Sequence, residues 1–448
     1  MRVPEPSPTL SELLHRVPPE RLASAIQDPR YAEASRRIER RYAPWKKVRY
    51  YARAEGLDAD VLWTLVKLGR GAQQRKLPLR GAQGVPLRFA MPEAVQEELM
   101  LVDQQLGGRP LSTDDQPLSP RDRERFIVSS LREEAIASSM LEGAATTRRD
   151  AKAMLVSGRK PRTRGERMVV NNYEAMEFAR EHRNTPLSPE LLLQMQEIVT
   201  RGTLESDDRC GRFRTESDRV EITDPYGAVL HTPPPASELP ARLRELCDFA
   251  NGKTGDGFIH PVVRACVLHF QIGYDHPFCD GNGRTARAIF YWAMLRAGYW
   301  LFEYLAISRL IYEGPSKYAM AYLYSETDEF DVTYFLVYKA RVIARARRAL
   351  SEYIHRKLTE VAEGRRVFEA DLRLNPRQRD VVLRMLRNPS LAISIQQHMM
   401  RHQVAYATAR GDLLNLEAWG YLVRASHGQK RFEFVRGPAL RLDAATGA

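Results

Sequence analysis

The sequence predicts a mainly α-helical protein interrupted by one β-hairpin and ending in a small domain of helix-turn-helix order. Three observations predict this. Segments rich in Ala, Leu, Arg and Glu carry apolar residues every three to four positions along most of the 448 residues, the period of a helix with one buried face. Residues 219–231 break that period: Val220 and Ile222 alternate with polar neighbours, DPYG supplies turn chemistry, and Val229 resumes the extended pattern. Beyond Leu374, helical runs separated by a short turn lead into two alternating segments around HGQK.

In chain order, helices are expected over residues 42–55 and 58–69, with Trp45 and Trp63 on their faces, followed by a looser stretch marked by Gly and Pro up to Met91. Residues 107–120 hold two glycines, three prolines and two adjacent aspartates and read as a linker. Ser119 can cap the next helix, and Pro120 suits its first position. A central region of about 119–364 alternates helical patterns around the hairpin, which PPP at residues 233–235 ends. A third region starts with a helix over residues 375–387, where Asn375 caps and Pro376 follows. A second helix is expected over residues 394–401, a turn at His402 and Gln403, and a third helix over residues 405–417 stopped by Gly420. Residues 421–424 and 431–435 would pair as a hairpin. The organisation expected is therefore a helical N-terminal region (1–107), a central domain (119–364) and a C-terminal domain (365–448).

A chain of this length buries ordinary cores without staples. Cys210, Cys247, Cys266 and Cys279 form no CxxC pair and no Cys/His metal spacing, which favours reduced thiols and a cytoplasmic protein. The first residues lack a continuous apolar run and no later segment approaches the roughly 20 apolar residues of a membrane span, so no membrane association is expected. The net charge of +12 is unevenly placed. From Asp331 onward about 21 Lys and Arg face about 11 Asp and Glu. Such a block is either a solvated helical surface or a contact for nucleic acid or an acidic partner.

The densest chemistry lies in HPFCDGNGRTAR, residues 276–287. An apolar helical stretch over residues 262–272 leads into His276, then Asp280, then Gly281-Asn282-Gly283-Arg284. A second amphipathic run with Ala288, Tyr291, Trp292 and Leu295 on one face follows. Glycines just before a helix let backbone N–H groups turn toward an anion, and the helix dipole favours negative charge there. Arg284 and Arg287 add cationic forks suited to phosphate oxygens. Asp280 is a hard oxygen ligand of the kind Mg²⁺ takes beside phosphates, and His276 is placed to act as a general base. The segment lacks GK[ST], and no GxGxxG follows a strand, which excludes the P-loop and dinucleotide-binding readings.

These residues match HxFx[DE]GNGRxxR at every fixed position, and the segment resembles the signature of Fic-domain proteins. The resemblance implies a helical Fic core that moves AMP from ATP to a Ser, Thr or Tyr hydroxyl of a target protein. His276 would deprotonate the hydroxyl, Asp280 would hold Mg²⁺ or Mn²⁺, and the loop of Gly281, Asn282 and Gly283 would cradle the α- and β-phosphates. Phe278 would anchor the loop, Arg284 would bind phosphate, and Arg287 would reach the γ-phosphate. Related Doc kinases carry Lys at the position of Gly283.

Upstream, SSMLEG occupies residues 138–143. On a helix beginning at Ser119, Leu131, Ala135, Ser138 and Glu142 share one face. Glu142 is thus either the solvated last turn or a carboxylate that needs a cation. The segment resembles the [ST]xxxE[GN] inhibitory helix of Fic proteins, here Ser138, Glu142 and Gly143, which implies that Glu142 pairs with Arg287 and blocks the γ-phosphate. In some relatives the same Glu supports removal of AMP, so the resemblance leaves reversal open.

The hairpin at residues 219–231, preceded by GRFR at residues 211–214, resembles the family's flap and would hold a target segment by strand addition. Tyr318, Tyr322 and Tyr324 have the spacing of core tyrosines. The C-terminal region resembles the winged helix appended to many Fic proteins. That places Arg401, His402, Tyr406, Thr408 and Arg410 at the start of the third helix, where DNA readers contact bases, and Lys430 and Arg431 on the wing. Winged helices also bind proteins. The alternative function is a DNA-binding regulator in which the Fic core serves as an ATP-responsive switch. Similar proteins also dimerise through the Fic core, which makes a homodimer a further expectation.

Overall fold

The structure, a computed structural model, describes residues 2–107, 120–224, 226–255, 257–369, 373–387, 391–426 and 432–440. The expected linker, the Ser119 cap, Lys430 and Arg431 lie outside the described residues, apart from the linker's two ends. The fold is mainly α, with two-stranded sheets only among the described residues. The chain divides into two compact units, Met1–Gly108 with Val128–Arg347, and Arg109–Ile127 with Arg348–Ala448.

The first unit opens with α1 (Leu10–Arg16), α2 (Pro19–Gln27), α3 (Pro29–Arg41), α4 (Trp45–Glu55) and α5 (Ala59–Gln73). Thr9 and Glu12 form a capping box on α1, and Asp28 and Asp58 cap α3 and α5. Trp45 and Trp63 lie in the core of this bundle with ring centroids 5.7 Å apart.

The stretch expected to be loose folds as an antiparallel hairpin, β1 (Arg75–Arg80) and β2 (Pro86–Phe89). Leu77 and Leu79 on one strand and Leu87 and Phe89 on the other are buried. Its prolines obscured it. Pro78 sits in the register shift between Lys76 and Arg80, and Pro86 is the first residue of its strand, positions where a missing N–H breaks no ladder bond.

Helices α6 (Glu93–Gln105), α7 (Pro120–Leu141), α8 (Arg148–Ser157), α9 (Arg164–Glu181) and α10 (Pro189–Thr200) follow. The expected hairpin is present as β3 (Ile222–Thr223) and β4 (Val229–His231), and α11 (Leu239–Ala250) comes next. Two central helices, α12 (Pro261–Asp275) and α13 (Asn282–Arg296), are buried around most of their circumference. Their apolar runs bury without a strong polar face because α9, α10 and α11 pack on them. α14 (Ile307–Tyr312), α15 (Pro315–Thr327) and the start of α16 (Thr333–Glu369) complete the unit. Buried ion pairs tie distant segments together. Arg242 donates to Asp275 at 3.1 Å and to the carbonyls of Arg80 and Gly81, and Arg347 pairs with Glu98 at 3.0 Å.

The second unit contains α17 (Pro376–Arg387), α18 (Ile395–His402), α19 (Tyr406–Ala418) and the antiparallel pair β5 (Leu422–Ser426) and β6 (Phe432–Arg436). Val381, Ile393, Leu413, Leu422 and Phe434 form its core. Asn375 caps α17 as expected, its Oδ1 accepting from the N–H of Gln378 at 2.9 Å. Arg401 and His402 are the last residues of α18, so they do not begin the third helix. Helical φ/ψ angles run on to His402, and the turn falls on Gln403, whose φ of 51° closes the helix. Arg401 donates to Asp380 at 2.8 Å, and Tyr406, Thr408 and Arg410 are exposed on α19.

Candidate active site: the loop between the two buried helices

His276 is the C-cap of α12, with φ 45° and ψ 58°. Its Nδ1 lies 3.0 Å from the carbonyl oxygen of Gly273. A carbonyl only accepts, so Nδ1 carries the proton and Nε2 keeps its lone pair. Burial drives the ring's pKa down to about 4, against the opposing pull of the Gly273 carbonyl, and the ring is therefore neutral.

The loop after His276 is stapled from inside. Phe278 is fully buried and stacks on Phe213 at 5.3 Å. Asn282 accepts from the Phe278 N–H at 2.9 Å and donates to its carbonyl at 2.8 Å. The Asn282 side chain is thus used within the loop. What this residue offers an anion is its backbone N–H in the first turn of α13, where helices leave such groups without partners.

Gly281 caps α13 with φ 85°, and a Cβ there would come within 2.7 Å of the Thr200 methyl. A Cβ on Gly283 would collide with the Glu142 carboxylate. Asp280 is 40% exposed beside this turn, 3.4 Å from Arg284 Nη2. Arg284 itself is buried and donates to the Val199 carbonyl at 2.9 Å.

Arg287 and the end of α7 meet on this loop. Leu131, Ala135 and Ser138 are buried on one face of α7, as the helical spacing predicts. Arg287 Nε donates to Ser138 Oγ at 2.8 Å, and Nη2 donates to the Ser138 carbonyl at 3.0 Å and to Glu142 Oε1 at 2.9 Å. Burial alone would raise the Glu142 carboxyl, but Arg287 and Arg284 outweigh it and hold the group below its usual value, so it stays charged. Gly143, at φ 80°, ends the helix there. Buried Glu134, two turns earlier on α7, accepts from the Ser308 N–H at 2.7 Å and fastens α7 to α14.

Three supporting residues were not singled out from sequence. Arg214, within GRFR, donates to the His276 carbonyl at 2.8 Å and to the Asp275 carbonyl at 3.2 Å, and its N–H reaches the Pro277 carbonyl at 2.9 Å. Gln196 on α10 donates to the Asp280 carbonyl at 3.2 Å and accepts from the Gly211 N–H at 2.7 Å. The hairpin is moored by His231, whose Nε2 lies 2.8 Å from the Tyr274 carbonyl and Nδ1 2.7 Å from Glu326. Burial opposes a charged His231 ring, but Glu326 and the carbonyl outweigh it and raise the pKa.

Within this unit, then, a neutral base, a loop suited to anions, an exposed carboxylate and an arginine bound by a second carboxylate share one turn of chain. Among the described residues no three His, Cys, Asp or Glu side chains converge as a metal site, and no helix is long and apolar enough to cross a membrane.

Comparison with known proteins locates the same region. The chain is 35% identical over 89 residues to the protein adenylyltransferase Fic of Nematostella vectensis, covering 20% of this chain and 19% of that protein. It is 36% identical over 69 residues to the protein adenylyltransferase Fic of Drosophila willistoni, covering 15% and 14%. It thus spans less than a fifth of the length of either relative. A crystal structure of a Fic family protein from Desulfovibrio desulfuricans G20 aligns with 78% of this chain and 97% of its own at 21% identity, with a TM-score of 0.49. Residues 186–294 match the Fic/DOC family, and this stretch contains the His276 loop and all of α13 but its last two residues.

Proposed function

We propose that this chain is a protein adenylyltransferase held in check by Glu142. The observation that carries the reading is the pairing of a neutral His276, with Nε2 free to accept a proton, and an anion loop whose Arg287 is occupied by a carboxylate. On this reading the oxygen of a Ser, Thr or Tyr hydroxyl attacks the α-phosphorus of ATP while His276 Nε2 takes its proton. The bond to the bridging oxygen of the β-phosphate breaks and diphosphate leaves, with the loop N–H groups, Arg284 and Arg287 balancing its charge.

A lone, part-exposed Asp280 beside this loop fits Mg²⁺ or Mn²⁺ completed by phosphates and water better than it fits an all-protein metal cage. Such an ion would neutralise phosphate charge. The hairpin β3–β4 would present the target segment by strand addition, its tip displaying Tyr226, which is 91% exposed. The test is transfer of label from α-labelled ATP to protein by the wild type, Glu142→Gly and His276→Ala; equal labelling by all three refutes the reading.

The low pKa of His276 fixes a pH dependence. A base works only when neutral, and a ring with its pKa near 4 loses that form as pH falls through about 4. The acid limb of kcat/KM for Glu142→Gly is therefore expected well below pH 6, where an ordinary histidine has already protonated. A limb centred near 6.5 would contradict the burial argument.

A second reading concerns the C-terminal unit. We propose that α19 contacts duplex DNA through Tyr406, Thr408 and Arg410, because these side chains are exposed together at its first turns. The full chain is expected to bind duplex at low salt with affinity falling steeply as salt rises, and Arg410→Ala to weaken binding by about tenfold. No binding at about 50 mM salt would exclude it.

A further inference from the structure

The hairpin β3–β4 is too short to hold itself in place. Its strands pair only Ile222 with His231 and Thr223 with Val229, and an isolated two-stranded hairpin is marginal in water. Its stem is fastened by His231, the last residue of β4, whose side chain is 9% exposed. The place that side chain reaches is the end of α12. A helix leaves its last four carbonyls without intrahelical partners, and here they belong to Ile272, Gly273, Tyr274 and Asp275. The His276 N–H and ring Nδ1 supply the first two at 3.0 Å, His231 Nε2 the third at 2.8 Å and Arg214 the fourth at 3.2 Å. Arg214 also holds the Pro234 carbonyl just beyond the hairpin. His231 thus caps the helix whose next residue is the base.

The charge of His231 follows from its two partners. Nδ1 lies 2.7 Å from the Glu326 carboxylate on α15 and Nε2 lies 2.8 Å from the Tyr274 carbonyl. Both oxygens accept, so both ring nitrogens donate, and a histidine that donates twice is an imidazolium. Facing the ring are Glu326 from α15 and, from the end of α12, the Tyr274 ring at 4.8 Å between centroids, Asp275 and His276. Burial opposes the charge, but Glu326, the Tyr274 carbonyl and Asp275 outweigh it and raise the pKa. The negative end of the α12 dipole acts in the same direction. Burial, and after it this cation, keep a second proton off His276. A ring that loses its own proton has one hydrogen for two acceptors. Either the Glu326 carboxylate or the Tyr274 carbonyl is then left without its donor in a largely buried place.

We propose that His231 is a positioning residue that, as an imidazolium, moors the hairpin β3–β4 beside His276, and that the hairpin loosens as the ring loses its proton. Its use in transfer rests on the reading that this hairpin presents the target segment. A raised pKa stabilises the moored form fully below the ordinary histidine value of about 6.5, and the gain is lost as pH rises through the raised value. The hairpin therefore limits transfer on the alkaline side, whereas the base, with its pKa of about 4, limits it on the acid side.

The test follows amide hydrogen exchange of residues 219–231 in the full chain between about pH 5 and 9, corrected for the intrinsic effect of pH on exchange, beside the ¹⁵N signals of the His231 ring. Both ring nitrogens are expected to carry protons at the acid end, and hairpin protection to fall by about tenfold as one is lost, the scale of one hydrogen bond to a charged group. Glu326→Gln, which removes the counter-charge, is expected to move that transition down by about one to two pH units. His231→Gln, which retains a donor but does not titrate, is expected to abolish it. A merely structural histidine gives no dependence on Glu326. No transition in the wild type, a transition at the same pH in Glu326→Gln, or one that survives His231→Gln overturns the proposal. In Glu142→Gly, transfer of AMP from α-labelled ATP to lysate proteins is expected to decline along the same transition, and transfer that stays level through it overturns the positioning role. If no AMP is transferred at any pH while hairpin protection follows His231, the transferase reading fails and the mooring stands. If AMP is transferred while protection ignores His231, the reverse holds.

Discussion

Glu142→Gly is expected to raise AMP transfer from ATP by roughly ten- to a hundredfold over the wild type. The magnitude follows from what the carboxylate does. Its Oε1 holds Arg287 Nη2 at 2.9 Å and sits over Gly283, so it occupies both the cation and the space a terminal phosphate would use. A hydrogen bond to a charged group contributes about 1.5–3 kcal/mol, and each 1.4 kcal/mol is about tenfold in a competing equilibrium. The Glu142 side chain is 30% exposed whereas Arg287 is 3% exposed, so removing Glu142 leaves a buried cation short of compensation. The nucleotide-free variant is therefore expected to melt below the wild type and to gain more on adding ATP. Glu142→Gln, which keeps the acceptor and loses the charge, should fall between the two in transfer rate. Equal rates for all three would mean that the carboxylate is a solvated helix end and not a brake.

Much of this switch was legible in sequence because its parts are local. His276, Phe278, Asp280, Gly281, Asn282, Gly283, Arg284 and Arg287 are contiguous, and a contiguous pattern keeps its geometry when it folds. Helical spacing puts Ser138 and Glu142 on one face of α7 but leaves Glu142 open as a solvated last turn; only the resemblance to the inhibitory helix implies its pairing with Arg287. Arg214 and Gln196 were not legible, because each works through hydrogen bonds to residues far away in sequence. Nothing in GRFR says which arginine will reach the carbonyl of His276, and a tyrosine at helical spacing looks the same whether its hydroxyl meets solvent or, like that of Tyr318, a buried histidine. The β1–β2 hairpin escaped notice for a different reason: Pro78 argues against a strand unless one knows that a register shift absorbs it. At α18 the propensities did not distinguish the last helical turn from the cap, so the helix includes His402, where a turn is expected, and neither Arg401 nor His402 stands at the start of the third helix.

His276→Ala is expected to lower transfer by about 10²–10⁴-fold in the Glu142→Gly background, the usual worth of a positioned general base, while ATP binding changes little. The separation follows from geometry. The fixed contacts of His276 are the Gly273 carbonyl at its Nδ1 and the backbone bonds that shape the turn, whereas the groups proposed to face phosphate belong to Gly281 through Arg287. Alanine keeps those backbone bonds, made by the His276 N–H to Ile272 and by its carbonyl with Arg214, so the loop should persist. The variant then binds nucleotide and target but has no acceptor for the hydroxyl proton. A loss of ATP affinity as large as the loss of rate would show that His276 builds the loop, and the base would have to be sought elsewhere. Retained affinity with transfer near background would place the proton at Nε2, the ring nitrogen that the fold leaves unprotonated by fastening the other to Gly273.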